Sequence, residues 1–224
     1  MGGMSDASLV QDLPLVMVRR VSVTSMDNNV YLLTSRQTGV QVLIDAAGEI
    51  ETIRRLLSEA GSDSAQPTRL GAVITTHRHH DHIGALAELV AETGAQTLAG
   101  GEDAAAIEEA TGVSIDRRLS HGDRITVDDV ILDVIALRGH TPGAVALGYT
   151  PAAGPVLLFT GDSLFPGGPG RVTSPADFDS LMTDLQQRVF DAYGDDTLVY
   201  PGHGRPTTLG VERPHLGEWL ERGW

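Results

Sequence analysis

The chain has 224 residues, 41% of them hydrophobic, enough for one sizeable core, and it shows no spacer that would join two autonomous units. Its net charge of −14 opposes the basic footprint of a nucleic-acid binder. Cysteine is absent, which excludes disulfides, thiolate ligands and cysteine nucleophiles, and all sixteen cationic residues are arginine, which excludes lysine-based catalysis.

The whole chain, 1–224, reads as one domain with a flexible tail at 1–13. The N-terminus lacks the basic-then-apolar order of a signal peptide, and Asp6 stands where a myristoylation signal needs Ser or Thr. With no apolar run near the roughly 20 residues of a membrane span, a cytoplasmic location is expected. Three short segments rich in Val, Leu and Ile, at 15–23, 29–35 and 40–45, suggest a strand meander. Ile50, Ile53, Leu57 and Ala60 follow helical spacing, with Gly61 placed as a stop. A compact apolar strand at 70–76 follows, then a helix from Ile83 through Leu86, Ala87 and Val90 to Gly94, and a third helix near 101–110.

Strand-forming runs return between 124 and 160. A helix is then announced by Ser174 as N-cap, Pro175 at N1 and Asp177 at N3, with the apolar stripe Leu181, Leu185 and Val189. A last strand at 197–200 precedes a tail rich in Gly, Pro and Trp. This alternation suggests two sheets face to face with helices outside.

The segment "TTHRHHDHIG" (75–84) holds half of the eight histidines. His77 and His79 follow a buried strand with one residue between them, so in an extended segment both side chains project the same way and can share a cation. Asp81 and His82 come just after, where the chain turns, and can serve a second cation. Three more times an apolar strand runs into glycine and then at once into a potential ligand: "VIALRGH" ends at His140, "VLLFTGD" at Asp162 and "LVYPGH" at His203. Glycine permits the backbone angles of a tight turn at a strand end. Four strand termini therefore carry ligand candidates, and in a layered fold such termini can converge along one edge. His80, His121 and His215 read as ordinary surface histidines.

The segments "THRHHDHIG", "GHTPG", "FTGDSLF" and "PGHG", with "NNVYLL" and "LIDAAG" among the early strands, resemble the metallo-beta-lactamase superfamily over nearly the whole chain. "GDSLFPGGPGR" and "YPGHGRPTTLGVERPHL" are most similar to short bacterial glyoxalase II-like hydrolases and the related persulfide dioxygenases. The resemblance implies an α/β fold, a four-layer αββα sandwich with a metal site at one edge between the sheets. It also implies a first divalent ion held by His77, His79 and His140, a second by Asp81, His82 and His203, and Asp162 bridging them; Asp81 is carried as the catalytic carboxylate as well.

The absence of cysteine excludes the beta-lactamases that use a cysteine ligand, and Asp162 at the bridging position favours the glyoxalase II-like branch. No lysine is available for the glutathione contacts of longer glyoxalase II enzymes. The expected activity is hydrolysis of a thioester, a hydroxyacyl-thiol, by a hydroxide bridging two divalent ions, with zinc expected first and iron or manganese as alternatives. Two other readings use the same residues: a lactone or ester hydrolase, and a persulfide dioxygenase with one iron on His77, His140 and Asp162. The partner is a small-molecule substrate, with neither nucleic acid nor membrane. Arg171, in the "GPGR" turn, is expected to hold an anionic substrate group, and Leu164 and Phe165 to form an apolar wall beside the metals.

Overall fold

Ser8–Asp12 (β1) is a strand, paired antiparallel with Val16–Val23 (β2), where a flexible tail is expected at 1–13. Its side chains are mostly exposed, so backbone pairing rather than an apolar face holds it, and no alternation announces it. The computed structural model describes residues 8–223, and the first seven residues of the expected tail lie outside the described residues.

β1 and β2 begin a seven-stranded sheet that continues in chain order through Asn28–Ser35 (β3), Val40–Ile44 (β4), Arg69–Thr75 (β5), Gln96–Gly100 (β6) and Arg117–Leu119 (β7). β1 to β4 form the antiparallel meander, whereas β4 to β7 run parallel. Parallel neighbours need crossover connections. Ile50–Glu59 (α1), Leu86–Thr93 (α2) and Gly101–Thr111 (α3) provide them.

Two helix boundaries differ from the sequence reading. α1 runs past Gly61 into a 3-10 turn, Ala60–Asp63, because buried Asp63 is drawn inward by Arg19, 2.6 Å away. α2 begins at Leu86 rather than Ile83. His80–His82 form a 3-10 turn of their own, and the next amides, Gly84 and Ala85, donate to the carbonyls of Ala47 and Ala46 instead of starting a helix.

The second sheet has six strands: Arg124–Val127 (β8), Val130–Ala136 (β9), Val145–Tyr149 (β10), Leu157–Gly161 (β11), Leu198–Pro201 (β14) and Thr207–Thr208 (β15). A small hairpin, Leu164–Phe165 (β12) with Gly168–Pro169 (β13), follows β11. β11 and β14 are parallel, and the crossover between them is Pro175–Leu185 (α4). Its N-cap is the expected one, with Ser174 Oγ accepting from the Asp177 amide, a contact worth about 1 kcal/mol. The Gly- and Pro-rich tail folds as Leu209–Glu212 (α5) and Leu216–Arg222 (α6), anchored by Trp219, which is 2% exposed.

Three apolar clusters define the layers. Val18, Leu33 and Val42 meet Leu132, Val134 and Leu147 between the sheets. Ile53, Leu86 and Ile107 pack on the outer face of the first sheet, and Leu181, Leu185 and Trp219 on that of the second. Each fully buried aliphatic side chain stabilises this arrangement by roughly 1.5–3 kcal/mol. The resulting order is helix, sheet, sheet, helix. Among the described residues no helix is long and apolar enough to cross a membrane.

Candidate metal centre

Strand ends of both sheets meet at one edge. β5 ends at Thr75 and delivers His77 and His79, while β11 ends at Gly161 and delivers Asp162. β14 ends at Pro201, just before His203, and β9 leads into the turn that carries His140. The two sheets are joined at this edge by the Val145 amide, which donates to the Thr76 carbonyl at 2.9 Å. The Gly202 amide donates to the Gly161 carbonyl at 2.8 Å, holding the His203 turn against Asp162.

Glycine is needed at two of these turns. Gly139, at φ +144°, lies so close to α4 that a Cβ there would strike the Asp177 carbonyl and stand 2.7 Å from Leu181 Cβ. A Cβ on Gly202 would strike Asp162 Oδ1 and stand 2.8 Å from His82 Cε1. At Gly202, then, the side chain that would fill the centre is the one the sequence omits.

Ligand-type atoms gather in three overlapping sets, each within 4.8 Å: His77, His79 and His140; His77, His82 and Asp162; Asp81, His82 and His203. The first and last are the two triads expected from the sequence. Asp162 lies between them, with Oδ2 3.6 Å from His140 Nε2 and 3.3 Å from His203 Nε2, and Oδ1 3.5 Å from His82 Nε2.

The outer ring nitrogens are held from behind, which turns the Nε2 atoms toward one another. His140 Nδ1 donates to the Arg171 carbonyl at 2.6 Å and His203 Nδ1 to the Met26 carbonyl at 2.8 Å. His82 Nδ1 faces Asp45 Oδ2 at 2.8 Å, and His77 Nδ1 faces Thr76 Oγ1 at 3.0 Å. Thr76 Oγ1 in turn donates to Asp45 Oδ2.

Three buried polar atoms here have no hydrogen-bond partner: His77 Nε2, His140 Nε2 and Asp162 Oδ1. Leaving such groups unpaired costs about 1–3 kcal/mol each. All three point into the centre, so the residues fit a cation.

The charges fit as well. Burial pulls the His77 imidazole well below its ordinary value, reinforced by His82, so it is neutral and free to ligate. Burial would also lower His82, but the Asp45 and Asp162 carboxylates outweigh it and push it up to about 10. Burial would raise Asp162, yet the His203 and His82 imidazoles, 3.3 and 3.5 Å away, hold it well below the carboxylate range. Without metal, protonated histidine offsets the buried carboxylate.

Sequence reasoning assigns no role to several residues that shape this centre. Asp45 is 2% exposed, at φ +61°, and reaches His82 directly and His77 through Thr76. Its signal is present in "VLIDAAG", an apolar strand running into a carboxylate. Asn28 Nδ2 donates to Asp81 Oδ2 at 2.9 Å, and Asn29 Nδ2 to the carbonyls of Pro201 and Gly204. Asp103, fully buried, accepts from the Arg78 and Gly143 amides and from Thr141 Oγ1, tying the His77–His79 segment to the His140 turn.

Phe165 is half-buried, with its ring 6.4 Å from that of His203. Leu164 does not line the site: it is 0% exposed and packs into the core beneath the second sheet. Adjacent residues of a strand face opposite ways, so β12 can present only one of the two. Arg171 is exposed at the edge of the centre, and the side chains of His80, His121 and His215 stay out of it.

Residues 23–203 match the family model for the metallo-beta-lactamase superfamily. The chain is 34% identical over 187 residues to a hydroxyacylglutathione hydrolase of Bradyrhizobium sp. (strain BTAi1), a match covering 82% of this chain and 65% of that protein. It is 28% identical to the hydroxyacylglutathione hydrolase GloC of Haemophilus influenzae, over 86% of this chain and 93% of that one. Among solved structures, TTHA1623 in a di-iron-bound form superposes with a TM-score of 0.68 at 33% identity, covering 87% of this chain and 96% of that one. The chain thus spans less than two thirds of the length of the first of these relatives.

Proposed function

Since the chain belongs to the metallo-beta-lactamase superfamily, and relatives in that family are named hydroxyacylglutathione hydrolases, we propose that it is a metal-dependent thioester hydrolase. The observation that carries this reading is the set of buried unpaired atoms, His77 Nε2, His140 Nε2 and Asp162 Oδ1, converging between two ligand triads. His77, His79 and His140 would hold one divalent ion, and Asp81, His82 and His203 a second. Asp162 would serve both. When bound, such ions supply a water acidified to a pKa near about 7 in the single-zinc case, and a Lewis acid for the carbonyl.

The protein's own groups do the remaining work. Asp45 and Thr76 hold His82 and His77 by their outer nitrogens, so the ligating nitrogens need no reorganisation. Asn28 fixes Asp81 in the same way. Phe165 borders the centre, its ring 6.4 Å from that of His203, and would offer the acyl group an apolar face. A thiolate leaves as a weak base, which suits a centre with no spare acid. Nitrogen and oxygen donors without sulfur suit zinc, iron or manganese, and TTHA1623 was solved with iron.

Metal loading is expected to release a proton from His82, because that imidazole, pushed up to about 10, is protonated at neutral pH without metal. The apparent metal affinity then weakens as pH falls, roughly tenfold per pH unit for each proton displaced. Calorimetric titration in buffers of different ionisation enthalpy counts the protons. A count of zero between pH 7 and 9 would mean that His82 is already neutral before metal binds.

The direct test is metal analysis of protein purified without added metal, followed on the same sample by thioester cleavage and by persulfide-dependent oxygen uptake. Two metal ions per chain with thioester cleavage are expected. One iron per chain with oxygen consumption and no thioester cleavage overturns the hydrolase reading in favour of a dioxygenase.

A further inference from the structure

We propose that Asp103, which belongs to neither ligand triad, is the positioning residue of the first metal position alone: its carboxylate fixes where His140 stands relative to His77 and His79. This deepens the reading of the metal centre in the proposed hydrolase and rests on it. β5 and β6 run parallel, so their last residues share one edge, and the first turn of α3 follows β6 there, beside the segment that leaves β5. Asp103 sits in that turn with its side chain 0% exposed.

An Asp in a first helical turn ordinarily serves the helix itself, facing its free amides and its dipole. Here, among the described residues, every hydrogen bond of the side chain leaves the helix. Oδ2 accepts from the Arg78 amide at 3.1 Å and from Thr141 Oγ1 at 2.5 Å, and Oδ1 accepts from the Gly143 amide at 3.0 Å. Arg78 stands between His77 and His79, and Thr141 follows His140 directly. One carboxylate thus joins the two turns that carry the first triad, reaching 25 residues back along the chain and 38 forward. The joint has no slack: a Cβ on Gly143 would strike the Asp103 nitrogen and stand 2.9 Å from its Cγ.

A different frame holds the second triad. The His203 turn is gripped by Asn29 Nδ2 on the carbonyls of Pro201 and Gly204, by the Tyr31 hydroxyl on Pro201 at 2.8 Å and by Arg20 Nη1 on Gly204 at 3.0 Å. These donors belong to β2 and β3, as does Asn28, which holds Asp81. The Asp103 carboxylate bonds to none of them. The two positions share Asp162 and the Asp45–Thr76 pair, yet separate elements set their spacing, so loss of Asp103 should loosen one and spare the other.

The joint needs two acceptor oxygens. In Asp103→Asn one of them becomes an NH2 group, which faces the Arg78 amide if it takes the Oδ2 place and the Gly143 amide if it takes the Oδ1 place. Either way two donors meet, and one backbone amide loses its acceptor.

The test removes Asp103 from chains that hold one position at a time. His203→Ala keeps the first triad and His79→Ala the second. Zinc affinity of each metal-free protein is measured by competition with a chromophoric chelator. Adding Asp103→Asn to His203→Ala is expected to weaken zinc by roughly 10–100-fold, the range for groups that support metal ligands. Adding it to His79→Ala should change the affinity by no more than about twofold, as independent sites allow. Thr141→Val, which withdraws one donor and keeps the shape, should repeat this pattern at smaller amplitude, whereas Thr141→Ser, which keeps the hydroxyl, should bind as its parent does. Circular dichroism of the metal-free chains checks folding, and if Asp103→Asn does not fold, the two Thr141 variants decide.

Equal weakening in both backgrounds would make Asp103 a general support of the fold, and no weakening in His203→Ala would remove it from the first position. Either result overturns the inference and leaves the hydrolase reading standing. If the selective pattern is found but the parent chain with two ions cleaves no thioester, the hydrolase reading falls and the role of Asp103 survives. A parent chain that binds no zinc ends both.

Discussion

Asp162→Ala is expected to empty both metal positions and to lower kcat/KM by on the order of 10³-fold, the equivalent of several kcal/mol of charge stabilisation. The reason is its place. One carboxylate faces His140 of the first triad and both His82 and His203 of the second, at 3.3 to 3.6 Å. Removing it also takes one of three nearby carboxylates from protonated His82, leaving Asp45 at 2.8 Å and Asp81 at 3.6 Å. His203→Ala should differ, since it takes a ligand from the second triad alone and leaves His77, His79 and His140 intact. Metal content per chain, measured on both variants purified in parallel, checks the contrast. Equal metal loss in the two variants would remove Asp162 from its shared role.

Gly202→Ala is expected to lower metal affinity by roughly 10–100-fold or more, the range seen when the groups around metal ligands are disturbed. The added methyl meets Asp162 Oδ1 and His82 Cε1, both of them side-chain atoms of the candidate ligands. The nearest backbone atom, the Gly161 carbonyl carbon, is 3.2 Å away, so the fold can persist while the centre cannot keep its shape. Circular dichroism near that of the parent with metal lost in dialysis is the expected pair of results. Full metal retention would mean that the turn relaxes without cost.

The candidate ligands were legible because each one follows a strand that declares itself by β-branched and aliphatic residues, and chain direction then fixes which end the ligand occupies. The layered order was legible from alternating helix and strand periods. What escaped has separate physical causes. β1 is exposed on most of its length and β7 has three residues, two of them arginine, so neither shows an apolar period. α5 and α6 are too short for a stripe to emerge from a Gly- and Pro-rich tail. Leu164 and Phe165 could not both face the metals, but which of them turns inward depends on the register of a two-residue strand. Asp45 stayed hidden because its partners, Thr76 and His82, are 31 and 37 residues away, a distance no local pattern spans.

The isolated bridge between Asn28 and His203 has a consequence for synthesis. The Asp81, His82 and His203 triad closes across 121 residues between its last two members, and Asn28, which holds Asp81, also meets His203 across 175. Such a closure is among the last events in folding, since long loops must be ordered before their contacts reward them. A nascent chain emerging from the ribosome can present His77, His79, Asp81 and His82 early, yet it lacks the third member of each triad, His140 or His203, until β9 and β14 have docked. High-affinity metal capture therefore waits for the finished fold, and a stalled or truncated chain ending before residue 203 should bind metal weakly and release it readily.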